Sequence, residues 1–251
     1  MSGIATSDIL AVFAIFCRVA GCLMIAPGFS SGMIPARVRL FVALGACFAL
    51  SPALIGLVRP AVVDGGVSIV LLIFTETAAG FLIGFLARLF FVALQFITVA
   101  IMQTIGLGGI PGTMSDDGEQ APALSTLYVT TATAIMFVAG LHGQLLRGLV
   151  DSYSAIPPGL AFDPRLSLVT ITDQTAATFL AVLRIGSPFI VYSVIVNFAI
   201  GITNKLTPQI PVFFIATPFV LMGGLFLLAL SAHDFFAYFQ TALATWLAQH
   251  T

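Results

Sequence analysis

"VSIVLLIFTETAAGFLIGFLARLFFVALQFITVAIMQTI", residues 67–105, decides the fold. The run is apolar almost throughout and contains no proline, yet it holds Glu76 and Arg88. As one α-helix it would extend roughly 58 Å, against a hydrocarbon core of about 30 Å. A membrane-type helix of this length either breaks or leaves the bilayer plane for part of its course.

The rest of the chain has the same character. Of its 251 residues 59% are hydrophobic and only 8% charged. The mean hydropathy is +1.13. A soluble domain carries about 25% charged residues, so a chain this poor in charge could not cover its own surface in water. Further apolar runs lie at 9–26, 38–58, 123–146, 175–202 and 212–230. A last stretch, 235–248, is shorter and holds Gln240 and Trp246, which predicts an interfacial or interaction-prone segment rather than a span. The expected fold is an all-α integral membrane protein with about six long apolar helices, some of them broken or kinked.

Polar punctuation divides the runs. Residues 151–173, "DSYSAIPPGLAFDPRLSLVTITD", form the long polar connection, with Pro157, Pro158 and Gly159 as a stiff turn. The stretch "NKLTPQIP" (204–211) reads as a hairpin tip, because Pro208 and Pro211 forbid a continuous helix. A four-run part is thus followed by a two-run hairpin. The first apolar run reads as retained: its leading residues lack a basic region, and Arg18 interrupts it. Arg37, Arg39 and Lys205 balance Arg59, Arg147 and Arg165 across the membrane, so loop charge assigns no orientation.

Charges inside apolar runs are costly, at least about 2.5–3.5 kcal/mol for a central Arg, and must face protein or water. Arg18, Glu76, Arg88 and Arg184 are in this position. Glu76 and Arg88 lie on different faces of a continuous helix and cannot pair directly. The group reads either as an ion pathway or as pairing between helices or subunits, and a single intramembrane carboxylate favours pairing. "GFLIG" (80–84) fits a GxxxG pattern for close helix approach, a match common by chance here. Gly45, Ala49, Gly223 and Gly224 suggest the same tight packing.

No nucleophile elbow, zinc-protease, dinucleotide or P-loop motif occurs, so no enzyme, cofactor or metal is expected. Cys17, Cys22 and Cys47 read as small buried hydrophobes. His142, His233 and His250 have no second ligand at metal spacing, and His142 reads as a helix-end histidine. A net charge of −1 without a basic cluster argues against nucleic acid as a partner.

One stretch does not fit an oily chain: "GLGGIPGTMSDDGEQAP", residues 106–122, with four glycines before Met114 and the acidic trio Asp116, Asp117 and Glu119. Glycine permits backbone conformations closed to other residues and close approach in narrow space. Non-helical backbone at membrane depth is tolerated only when it is buried in protein or lines water. From the residues alone the stretch is either a solvated connector or the lining of a wet vestibule.

Four stretches in order resemble one family: "FCRVAGCLMIAPGFSSGMIPARVRLFVAL" (16–44), "GLGGIPGTMSDDGEQAPALSTL" (106–127), "MFVAGLHGQLLRGLVDSYSAIPPG" (136–159) and "NKLTPQIPVFFIATPFVLMGGL" (204–225). Together they are similar to the FliR family of flagellar biosynthetic proteins, homologous to the T subunits of type III secretion export apparatuses. The resemblance implies a single-copy subunit of a helical hetero-oligomeric export gate in the bacterial inner membrane, at the flagellar basal body. Its implied partners are five P-type and four Q-type subunits, the B-type export switch subunit, exported unfolded proteins and membrane lipid. It also implies that 1–150 resembles a P-type subunit, 151–174 is a connector and 175–251 is a Q-like hairpin with a C-terminal segment. Part of the assembly would stand above the membrane plane. The glycine loop would be a channel plug, with Gly106, Gly108, Gly109, Ile110, Pro111, Gly112, Met114, Ser115, Asp116 and Asp117 as its residues. Arg18, Glu76, Arg88, Arg184, Lys205, Pro208 and Gln209 would serve intersubunit or interhelix charge and packing. An injectisome T subunit, a small-solute transporter and a pore-less scaffold are the rival readings.

Overall fold

The computed structural model describes residues 6–32, 34–63, 68–108, 111–114, 120–159 and 164–249. Among these residues the elements are α1 (Thr6–Leu23), α2 (Ala36–Val63), α3 (Ile69–Thr104), β1 (Pro111–Met114), β2 (Gln120–Pro122), α4 (Ala123–Val138), α5 (Leu141–Ala155), α6 (Pro164–Leu206) and α7 (Val212–Gln249). Five helices are long and apolar enough to cross a membrane, or six if the bent pair α4–α5 counts as one span. The fold is thus an all-α membrane architecture with one added feature, a two-stranded antiparallel pairing of β1 with β2.

Helix α3 does not break. Its 36 residues start at Ser68, whose Oγ accepts the Leu71 N–H at 3.2 Å as an N-cap. It ends where Gly106 takes a left-handed φ of 84°. There the Leu107 N–H reaches the Met102 carbonyl at 2.8 Å and the Gly106 N–H reaches Gln103 at 3.2 Å, the paired bonds of a Schellman turn. At about 54 Å, α3 exceeds the bilayer core as one rod. The fourth run is the one that breaks: Gly140, at φ 72°, separates α4 from α5.

One expectation fails at the C-terminal end. The stretch 235–248 is not a separate interfacial segment but the second half of α7. Residues 231–234 contain neither Pro nor Gly, and Ser231 Oγ turns back onto the Leu227 carbonyl at 2.8 Å, so nothing stops the helix. The polar stretch 151–173 is also largely helical: α5 runs through Ala155 and α6 begins at Pro164.

Two of the internal prolines are accommodated by neighbouring hydroxyls. Pro52 in α2 and Pro188 in α6 leave the carbonyls four residues back without an amide donor. Ser51 Oγ donates to Phe48 O at 3.1 Å, and Ser187 Oγ donates to Arg184 O at 2.9 Å. Each Ser-Pro pair thus satisfies the carbonyl that its proline orphans, as lipid surroundings require.

The chain forms two compact units. One comprises 1–90, 136–175 and 244–251, the other 91–135 and 176–243, so α3, α6 and α7 contribute to both. In the first unit, α1 buries Ala11, Ala14, Ile15, Arg18, Val19 and Cys22, a single face at helical spacing. The GxxxG pair is used there. A Cβ on Gly80 would run into the Arg18 carbonyl, and one on Gly84 would lie 2.5 Å from the Cys22 carbonyl oxygen. The equal offset shows α1 and α3 running parallel, with α2 as the return. In the second unit, Tyr192 Oη donates to Val220 O at 2.7 Å across the α6–α7 hairpin. A Cβ on Gly224 would lie 2.5 Å from Ile105 side-chain atoms. Gly45 departs from the expected tight packing, since open space surrounds it.

Candidate functional site: glycine loop and buried charge cluster

The Schellman turn at Gly106 launches the chain out of α3 into the glycine stretch. Leu107 is buried, and a Cβ on Gly108 would lie 3.0 Å from Gln103 Cγ. Further on, Pro111 pairs with Pro122 and Met114 with Gln120, with a register irregularity between the pairs. Pro111 and Gly112 thus belong to a strand. The pairing sets a short antiparallel ladder directly before α4. The expected plug residues Gly109, Ile110, Ser115, Asp116 and Asp117 lie outside the described residues.

In the other unit, Arg18 of α1 meets Glu76 of α3. Arg18 Nε donates to Glu76 Oε2 at 2.8 Å and Nη2 to Oε1 at 2.9 Å, the two-pronged geometry of a strong charge-assisted pair. The two side chains are 1% and 0% exposed. Two further guanidinium N–H groups go to the C-terminal end of α5. Nη1 reaches Ser152 Oγ at 3.1 Å, and Nη2 reaches the Ile156 carbonyl at 3.0 Å. Tyr153 lays its ring 3.8 Å under the guanidinium carbon, within cation–π range. Ile156 caps the C-terminal end of α5, where unpaired carbonyls favour a positive charge. Ser152 Oγ itself donates to Leu149 O at 2.6 Å. One cation therefore ties α1, α3 and α5 together.

The other expected charge and packing residues are not part of this cluster. Arg88 lies half-buried on α3. Arg184 is exposed on α6, and Lys205, Pro208 and Gln209 are exposed at the hairpin tip. There, α6 stops at Leu206, Thr207 Oγ1 closes onto Thr203 O at 2.8 Å, and α7 restarts at Val212 after Pro211. Sequence reasoning missed Ser152, Tyr153 and the Ile156 carbonyl. The available signal was the demand of a buried guanidinium for more than one acceptor.

Comparison with known proteins adds a family. The model for "Bacterial export proteins, family 1" matches residues 9–246. A flagellar biosynthetic protein FliR of Caulobacter vibrioides is 28% identical over 86% of each chain. The FliR protein of Aquifex aeolicus is 28% identical over 85% of this chain and 82% of its own. The secretion system apparatus protein SsaT of Salmonella typhimurium is 28% identical over 57% of this chain and 56% of its own.

Proposed function

The chain belongs to the bacterial export proteins, family 1, and on that premise we propose that it is a subunit of the flagellar type III export gate. It is a multi-pass protein of the bacterial inner membrane. The observation that carries the reading is the family match over nearly the whole chain. Flagellar relatives cover far more of it than the injectisome relative does at the same identity, which favours the flagellar branch.

In this reading the chain assembles with P-type and Q-type subunits, five and four of them, and with the B-type switch subunit. Residues 1–150 take a P-like place, and 175–251 take a Q-like place. Arg88, Arg184, Lys205, Pro208 and Gln209 act in contacts with neighbours. The stretch from Gly106 to Asp117 is a plug that exported unfolded chains displace. The Gly106 turn and the β1–β2 pairing support this role. They hold both ends of the stretch and leave its acidic residues 116, 117 and 119 between them. Its glycines carry no side chains, which lowers the cost of moving it.

Deleting 108–117 tests the plug. Ion and small-molecule leakage across membranes containing the assembled gate should rise, with subunit composition unchanged. An unchanged leak through an intact complex refutes the plug.

A further inference from the structure

Where α1 hands over to α2, the first unit holds a cavity of about 240 Å³. Leu23 lines it from α1, Phe29 and Ile34 from the turn, Val38 and Val42 from α2, and Phe137 from the end of α4. The rings of Phe29 and Phe137 meet edge to face at 5.4 Å and form one wall. The lining is apolar except for Arg39. An apolar space of ~150 Å³ already takes a benzene-sized ligand, so a lone aromatic side chain would leave this one partly empty.

Arg39 brings a charge to this space. Its Nε donates to the Ile34 carbonyl at 3.0 Å, which fixes the guanidinium and draws it toward the start of α2. Nη1 and Nη2 have no partner among the described residues. No carboxylate lies close in the sequence: residues 9–63 contain Arg18, Arg37, Arg39 and Arg59 but no Asp or Glu. Arg18 already holds Glu76, and Arg59 holds Asp8. The Arg39 fork is thus an unused binder for an anionic group beside an apolar cavity.

The cavity continues along α2 as an open track. Val38, Val42, Gly45 and Ala49 follow at i, i+4, i+7 and i+11 on one face of the helix, and all four are exposed. A Cβ on Gly45 would find nothing within 4 Å, so no described neighbour crosses the track there. From Val38 to Ala49 the track is about 16 Å long, half of a hydrocarbon core of about 30 Å and so the reach of one leaflet's acyl chain.

We infer that the cavity and track hold one acyl chain of an anionic phospholipid, with its phosphate on Nη1 and Nη2 of Arg39. Arg37, exposed in the first turn of α2, adds to the positive field around the headgroup. A protein occupant fits less well. A helix laid on α2 is about 10 Å wide and would bridge the cavity rather than fill it. An extended polypeptide would bring an N–H and a C=O per residue against a lining whose polar group is Arg39 alone, and most would stay unpaired. An acyl chain carries no such groups, and for a multi-pass protein the bilayer supplies it. The inference goes beyond the gate reading and depends neither on the plug nor on the contacts of 175–251.

Photolabelling tests it. The full-length chain, purified with its copurifying subunits, is incubated with phosphatidylglycerol that carries a diazirine on one acyl chain, then irradiated, digested and mapped by mass spectrometry. Adducts should concentrate on the peptides that hold Phe29, Val42 and Gly45. Unlabelled phosphatidylglycerol should compete several-fold better than phosphatidylcholine. Arg39→Gln removes the phosphate's partner, and Gly45→Leu blocks the track at a position with room for a Cβ. Each should cut the labelling several-fold with subunit composition unchanged. Unchanged labelling in both variants, or equal competition by the two lipids, overturns the site. Absent labelling of an intact wild-type complex means that a protein neighbour covers the cavity, and a free fatty acid in place of phospholipid in extracts of that complex overturns the ligand class. If Arg39→Gln fails to accumulate, the wild-type competition decides alone. The leak assay reads the plug separately, so either reading can fail without the other.

Discussion

A guanidinium at position 18 is tolerable because Glu76 takes two of its N–H groups and Ser152 and Ile156, at the end of α5, take two more. Removing one partner strands the other charge, at a cost of about 3–5 kcal/mol. Glu76→Gln should therefore lower the thermal midpoint in detergent and the amount of extractable protein. Arg18→Met combined with Glu76→Leu should recover most of the loss, because an apolar pair of similar volume leaves no buried charge. An unmoved midpoint in Glu76→Gln would show that the pair holds nothing together. Ser187 offers a finer test. Ser187→Ala should cost about 1 kcal/mol by orphaning the Arg184 carbonyl. In a Pro188→Ala background the same change should cost little, because residue 188 then supplies its own N–H; melting of the four variants measures the coupling. That Arg18 needed a partner was legible in the sequence. Which partner was not: Glu76 is distant along the chain, and only the crossing of α1 on α3 selects it.

That crossing belongs to the scale of elements. Gly80 and Gly84 let the α1 backbone sit directly on α3, while Gly45 on α2 faces open space. Gly80→Leu should destabilise by at least the ~1–3 kcal/mol of an overpacked core, since backbone gives way less readily than a side chain. Gly45→Ala should be neutral or stabilise by up to about 1 kcal/mol through helix propensity. Scanning fluorimetry of both in one detergent checks the contrast, and equal shifts would contradict it. The helices themselves were legible because 20-residue apolar runs and prolines are local signals. Their true lengths were not. Ser231, His233 and Asp234 read as the end of a span, yet a polar residue does not stop a helix whose backbone bonds continue. The β1–β2 pairing was equally hidden, since Pro111–Met114 and Gln120–Pro122 carry no strand-like alternation. Glycine gave a clear loop signal at 106, but whether Gly80 packs or merely occurs depends on what lies across from it.

At the scale of the molecule, length and apolar surface pull against each other. Helices α3, α6 and α7 have 36, 43 and 38 residues. Each reaches roughly 54–65 Å, far beyond a hydrocarbon slab of about 30 Å. Lipid covers only the part within the slab. Val169, Phe179, Leu180 and Leu183 on α6 are exposed and apolar, and whatever length the slab leaves out must be covered by neighbours or meet water. Phe41 and Phe48 on α2 and Phe96 on α3 add further apolar surface for lipid or protein to cover. Patches of this size on a lone chain lead to association or proteolysis. The chain expressed alone should therefore accumulate in membranes at a level several-fold lower than when it is coexpressed with P-type and Q-type gate subunits. Quantitative blotting of membrane fractions, with transcript levels matched, reads the difference. Pulse-chase labelling then separates slower loss from faster synthesis. Equal steady-state levels and half-lives would mean that the excess helix length is shielded without neighbours, and would remove the physical ground for placing this chain inside a larger assembly.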